Sequence, residues 1–249
     1  MIILVACEES QAITKELRAL GHEAYSCDLL PCSGGRPDWH FKQDVFKVIK
    51  NKGGILEDGT KVKLKQKWDM MIAHPPCTFL AVSGARWYYH PEDSHLPTDQ
   101  RRPHPKFPNR RKQQKDAIKF VEKLFNADIH KIAIENPIGV LSTSSIGKPT
   151  QIIQPWWFGD NFTKTTCFWT KGLPLLKKIP KVIEAENKKK FINKGDVITL
   201  SSGKKMQKWY AEALAKAKSP EERRTLRSKT FPGMAKEIAK QWTNTETHD

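Results

Sequence analysis

Apolar residues gather along this chain in short unbroken runs separated by stretches of helical spacing. Ile2 to Ala6 is a β-rich run, the pattern of a strand covered on both faces. Gln11 to Leu20 switches to helical spacing and stops at Gly21, a residue suited to a helix C-cap. Glu23 to Asp28 predicts a second strand. Two further apolar runs end abruptly at proline, Met70-Met-Ile-Ala-His-Pro75-Pro76 and Lys131-Ile-Ala-Ile-Glu135-Asn136-Pro137. An amphipathic helix is expected over Asp116 to Phe125, feeding the second of them. Strands alternating with helices predict an α/β fold with a mostly parallel sheet and helices on both faces.

Between these blocks the pattern marks additions to a single domain spanning residues 1–249. Asp58-Gly59 between β-formers predicts a hairpin insertion at about 51–67. Residues 81–115 lack periodicity and are rich in proline, arginine and aromatics, which predicts a long functional or mobile loop. A lysine-rich excursion covers about 177–218. Ser219-Pro220-Glu221-Glu222 has the order of a helix N-cap with proline at N1, and Pro232 to Trp242 predicts the closing helix.

Charge changes the picture. Lysine and arginine number 43 against 27 acids, a formal net charge of +16. Such an excess favours a polyanionic partner, chiefly nucleic acid, over an ordinary solvated surface. Arg86, Trp87, Arg101, Arg102, Arg110, Arg111 and the run Lys188-Lys189-Lys190 are the candidate contacts, because basic side chains interleaved with aromatics suit phosphates and bases. The five cysteines include no CxxC pair and no cysteine–histidine cluster at zinc spacing, so no metal site is expected. Reduced thiols, no signal segment and no run of membrane-spanning length lead us to expect a soluble cytoplasmic protein.

The candidate chemistry sits where the apolar runs end. Cys77 follows two prolines at a strand end, where an open α/β sheet places its active site. Glu135 holds the matching place on another strand. A free cysteine is more often a core residue, and a strand-end acid often caps a turn. Together, however, a thiol and a carboxylate can activate a pyrimidine. A thiolate adding to C6 of cytosine breaks the aromaticity and makes C5 nucleophilic, while a carboxyl group at N3 stabilises the developing charge. C5 can then take a methyl group from a sulfonium donor, provided the base is extracted from the helix.

At these residues the chain resembles the DNA (cytosine-5)-methyltransferase family, especially its compact bacteriophage and prophage forms. Pro75-Pro76-Cys77 is similar to the Pro-Cys nucleophile motif, and Glu135-Asn136 to the Glu-Asn motif. The resemblance implies Cys77 as nucleophile and Glu135 as the acid at N3. Thr163 to Pro174 occupies the place of the motif whose basic side chain supports the flipped cytosine, which implies that role for Lys164. Leu4 to Ser10, Asp28 and Gln43-Asp44-Val45 resemble the S-adenosyl-L-methionine motifs. The implied donor contacts are Ala6, Cys7, Glu8, Ser10, Asp28, Leu29, Asp44 and Pro75. Arg227 to Met234 is similar to the closing segment of the phage-type members. The family thus implies a Rossmann-like S-adenosylmethionine-dependent methyltransferase acting on double-stranded DNA with the cytosine flipped out.

Three departures bear on that expectation. Cys7-Glu8-Glu9-Ser10 replaces the glycines usual in the first turn, Thr78 replaces the usual glutamine, and the chain after Glu135 is too short for a large recognition domain. Two rival readings remain beside it. An exocyclic-amine methyltransferase acting on N4 of cytosine or N6 of adenine places an aromatic after Pro-Pro, where this chain has Cys77. A non-catalytic DNA-binding relative of the fold would bind no donor.

Overall fold

The computed structural model describes residues 1–219, 222, 225–226, 228 and 230–244. Pro220 and Glu221 of the expected N-cap, and Arg227 and Lys229 of the closing segment, lie outside the described residues. The described part of that cap is formed as expected, with the Ser219 hydroxyl accepting the Glu222 N–H at 3.0 Å.

Five parallel-running strands build the heart of the molecule: β1 (Ile2–Ala6), β2 (Glu23–Asp28), β3 (His40–Lys42), β6 (Met70–Ala73) and β7 (Lys131–Asn136). Between β3 and β6 lies a separate antiparallel hairpin, β4 (Gly53–Ile55) with β5 (Lys61–Lys63). After β7 the chain adds β8 (Gln151–Ile153) and β9 (Thr166–Lys171). The sheet runs β3-β2-β1-β6-β7-β9-β8, and β9 is antiparallel to both of its neighbours. This is the mostly parallel, Rossmann-like α/β arrangement expected from the order of strands and helices.

The strands read as continuous apolar runs because both faces are covered. Ile3, Val5, Met70, Ile72, Ala133 and Phe168 point to one core. That core is closed by helix α1 (Ala12–Ala19) and by the last helix described, α6 (Pro232–Thr243). Leu4, Met71, Ile132, Ile134 and Trp169 point to the other, under α2 (Val45–Asn51) and α3 (Arg110–Phe125). The lysine-rich excursion contains α4 (Pro180–Asn187), a hairpin of β10 (Val197–Thr199) and β11 (Lys205–Gln207), and α5 (Lys208–Lys216).

Two expectations change. The helix expected from Asp116 begins nearly two turns earlier, at Arg110. Residues 81–115 are built rather than structureless, with 3-10 turns at Val82–Trp87 and Pro91–His95 and a bridge between Tyr89 and Pro103. Their order comes from long-range polar contacts. Asp93 is buried and accepts from the Arg102 backbone at 2.8 Å and from its guanidinium at 2.6 Å. No spacing along the chain announces such a pair.

The strand order reverses direction between β1 and β6, so a crevice opens outside their carboxyl ends. Both proline-ended loops leave the sheet at that end.

Candidate active site

The loop after β6 leaves the sheet with His74, whose N–H donates to the Ala6 carbonyl at 2.9 Å. Pro75 is buried and Cys77 is exposed. The prolines remove two donors and fix the backbone. The Cys77 carbonyl then accepts from the Leu80 and Ala81 N–H groups, each at 3.0 Å, so the nucleophile candidate sits at the start of a tight turn. Beneath that turn the Arg110 guanidinium donates to the Thr78 carbonyl at 3.1 Å and lies 5.2 Å from the Phe79 ring centroid.

The loop after β7 is laced to this turn. The buried Asn136 amide donates to the Pro75 carbonyl at 2.8 Å. Val82 N–H donates to the Ile138 carbonyl at 3.2 Å, and Val140 N–H to the Leu80 carbonyl at 2.9 Å. Gly139 allows this approach, since a Cβ there would stand 1.9 Å from the Leu80 oxygen. The Pro-Pro-Cys and Glu-Asn segments therefore form one rigid unit. Asn136 and Gly139 were not singled out from the sequence for this role; two strand-end proline motifs were the only signal that the loops meet.

Glu135 lies on β7 facing His74, with Oε2 3.1 Å from His74 Nδ1. Burial pushes the Glu135 carboxyl up, but the His74 hydrogen bond and the charges of Lys164 and His74 outweigh it and hold the group below its ordinary value. Lys164, just ahead of β9, is thus brought within electrostatic reach of Glu135. Its backbone N–H donates to Gln154 at 3.0 Å, and its ammonium lies 5.9 Å from the Phe231 ring centroid. Two buried polar atoms in this region have no protein partner, Asn136 Oδ1 and His74 Nε2.

On the β1 side, Cys7 and Gln11 take left-handed φ values of 57° and 58°, the region that glycine enters without steric cost. The turn therefore achieves a glycine-like path without glycine. Part of the compensation comes from Gln11. Its amide brackets the Arg36 backbone, donating to the carbonyl at 2.8 Å and accepting the N–H at 3.0 Å. Burial first, then the charges of Asp28 and Asp44, push the Cys7 thiol up to about 12. Cys7, Asp28 and Asp44 are therefore neighbours at the carboxyl ends of the strands.

Each expected donor contact has a definite place. Ala6 ends β1 and is fully buried, whereas Leu29 beyond Asp28 is 73% exposed. Asp28 accepts from the Leu30 N–H at 2.9 Å, and burial, partly offset by backbone hydrogen bonds, raises its carboxyl. Asp44 caps α2 through the Lys47 N–H at 3.1 Å and borders a concavity of about 400 Å³ with Gln43, Lys47 and Gly54. Ser10 is half-buried at the mouth of the turn. Glu8 is buried, and its carboxylate takes the Ile13 N–H at 2.7 Å and the Thr14 hydroxyl at 2.6 Å. Its carboxylate is spent on the start of α1. A larger open concavity, about 1080 Å³, lies at the amino ends of the strands around Trp68, Asp69 and Lys131, away from all of these groups.

The arginines of residues 81–115 are mostly engaged inside the loop. Arg101 donates to the Leu96 and Ser94 carbonyls at 2.7 and 2.9 Å, Arg102 holds Asp93, and Arg110 braces the Cys77 turn. Arg111 bonds Gln114 and lies over the Tyr88 and Tyr89 rings. Arg86 is exposed, 4.7 Å above the Trp87 ring. Lys188, Lys189 and Lys190 are exposed at the end of α4, with Lys188 paired to Glu184. Among the described residues no group of three or more His, Cys, Asp or Glu could hold a metal ion. No described helix is long and apolar enough to cross a membrane.

No protein-family model matches the chain. No curated protein matches it either. Among solved structures it is similar to a candidate DNA modification methyltransferase encoded within an E. coli prophage, at 10% identity and a TM-score of 0.39, over 72% of this chain and 51% of that one. The chain thus spans about half the length of the structure it matches.

Proposed function

We propose that this protein is a DNA cytosine-C5 methyltransferase using Cys77 as nucleophile and S-adenosyl-L-methionine as donor. The observation that carries the reading is the laced pair of loops, which holds the exposed Cys77 and the His74-bonded Glu135 on one rigid support at the switch-point crevice. Preorganisation of this kind is what a two-group attack on one ring requires.

In this reading duplex DNA lies across the carboxyl end of the sheet with one cytosine turned out of the stack. Cys77 adds to C6, Glu135 engages N3, and the Lys164 ammonium supports the ring and the charge of Glu135. The turn Ala6–Ser10, Leu29, Asp28 and Asp44 would hold the donor, which supplies an electrophilic methyl group when bound. Cys7 at about 12 stays a neutral thiol and so does not compete for that methyl. Arg86 and Lys188-Lys189-Lys190 are exposed basic groups available to the duplex, with the half-buried Trp87 ring beneath Arg86.

The test is methyl transfer from labelled S-adenosylmethionine to DNA by wild type beside Cys77→Ala. Transfer that vanishes in the variant is expected, and turnover surviving the substitution would sink the mechanism. A covalent complex with DNA carrying 5-fluorocytosine distinguishes C5 attack from methylation of an exocyclic amine, which forms none. Calorimetry with the donor separates an enzyme from a non-catalytic binder.

A further inference from the structure

The His74–Glu135 contact has no place in the scheme above, yet it is one of the least exposed ion-pair contacts described, with side chains 12% and 15% exposed. His74 Nε2 is buried and lacks any protein partner, so the imidazole turns its one polar contact on Glu135. A carboxylate held ionised has no hydrogen to give to N3. For the same reason the hydrogen between the two residues resides on Nδ1, since an ionised carboxylate only accepts.

We propose that His74 is the positioning and proton-supplying partner of Glu135, loading the proton that Glu135 delivers to N3 of the cytosine. This inference rests on the cytosine-C5 reading above. As Cys77 Sγ bonds to C6, the C5=C6 π bond opens and its electron pair is delocalised toward N3. N3 takes a proton from the Glu135 carboxyl, and the Nδ1 proton of the His74 imidazolium passes to Glu135. Thiolate and imidazolium are consumed together, leaving a neutral adduct, a neutral imidazole and a carboxylate. After methyl transfer, water takes the C5 proton as the C6–S bond breaks, the Cys77 sulfur leaves as the thiolate, and the N3 proton returns through Glu135 to His74. The titratable groups that act on this pair are Lys164 ahead of β9 and Cys167 on β9, and Cys77 follows His74 three residues along the same loop. Lys164 favours ionised Glu135, and Cys167, raised to about 11 by burial and by Glu135, remains a thiol throughout.

The experiment measures the rate of covalent adduct formation with mixed-sequence duplex DNA containing 5-fluorocytosine, in the presence of S-adenosylmethionine, as a function of pH. Wild type and His74→Asn are compared, because the asparagine amide keeps a donor near the Nδ1 position but exchanges no proton. For wild type the rate should rise as the thiolate forms and fall again at higher pH as the pair loses its proton. For His74→Asn we expect a loss of about 100-fold and disappearance of the falling limb, with donor affinity by calorimetry unchanged. A variant with the wild-type rate and both limbs would overturn the proton-supplying role while leaving the C5 reading intact. No adduct from wild type at any pH would remove that reading and this inference with it. Should His74→Asn not fold, ¹⁵N NMR of the wild-type imidazole decides: its signals must change in Glu135→Gln, and unchanged signals refute the coupling.

Discussion

At the residue scale, the cysteines of this chain occupy different electrostatic settings. Cys7 is raised to about 12 by burial, Asp28 and Asp44, Cys167 to about 11 by burial and Glu135, and Cys27 also well up by burial. A thiol of pKa near 12 is ionised at pH 8 to only about one part in 10⁴. Cys77 is the exposed one among the five. Brief iodoacetamide treatment at pH 8, read by peptide mass spectrometry, should therefore modify Cys77 first and leave Cys7, Cys27 and Cys167 nearly untouched. Preferential labelling of Cys7 would contradict its placement between two acids. Glu135 predicts a pH effect of definite sign. Its folded value lies below the ordinary 4.5, so the unfolded chain binds the proton more readily. The stabilisation is complete above about 4.5 and is lost as pH falls through the folded value. Thermal melts should show wild type losing more stability between pH 5 and 3 than Glu135→Gln. Equal slopes would mean the pair contributes nothing to folding.

At the element scale, the site depends on two loops being too close for ordinary side chains. Gly139→Ala would place a methyl 1.9 Å from the Leu80 carbonyl oxygen. The backbone bonds from Val82 and Val140 would have to stretch or break, at a cost of about 1–3 kcal/mol. Denaturant unfolding should register that loss, and methyl transfer should fall further than stability alone explains because Cys77 and Glu135 separate. A stable variant with full activity would show that the lacing is dispensable. The neighbouring segment teaches a related lesson. Residues 81–115 look irregular along the chain, yet the Asp93–Arg102 pair and the stack of Arg110 among Phe79, Tyr88 and Phe107 give them a fixed shape. Several arginines that read as contacts for a polyanion also brace the loop, because their partners are carbonyls and acids elsewhere along it. Composition reports charge but not where that charge is spent.

At the scale of the whole molecule, the net charge of +16 makes the proposed DNA binding a salt-dependent property. If Lys188, Lys189 and Lys190 each contact a phosphate, changing all three to Gln should flatten the plot of log Kd against log salt by about 0.9 per contact. An unchanged slope in a fluorescence-anisotropy titration would remove α4 from the interface.

The strand–helix order, the Rossmann-like sheet and the strand-end location of Cys77 and Glu135 were legible from the chain, because unbroken apolar runs and terminating prolines are local signals. The family resemblance also marked the first turn as the anomalous one. Only tertiary structure decided how that anomaly is resolved, with Cys7 and Gln11 bent into left-handed φ and Gln11 clasping a backbone 25 residues away. It likewise decided that Glu8 serves a helix, that most of the loop arginines are occupied, and that His74 meets Glu135 across 61 residues. These outcomes depend on which strands become neighbours. Parallel neighbours are joined through crossovers, so side chains far apart in sequence meet at the sheet's carboxyl end, where no local pattern records the encounter.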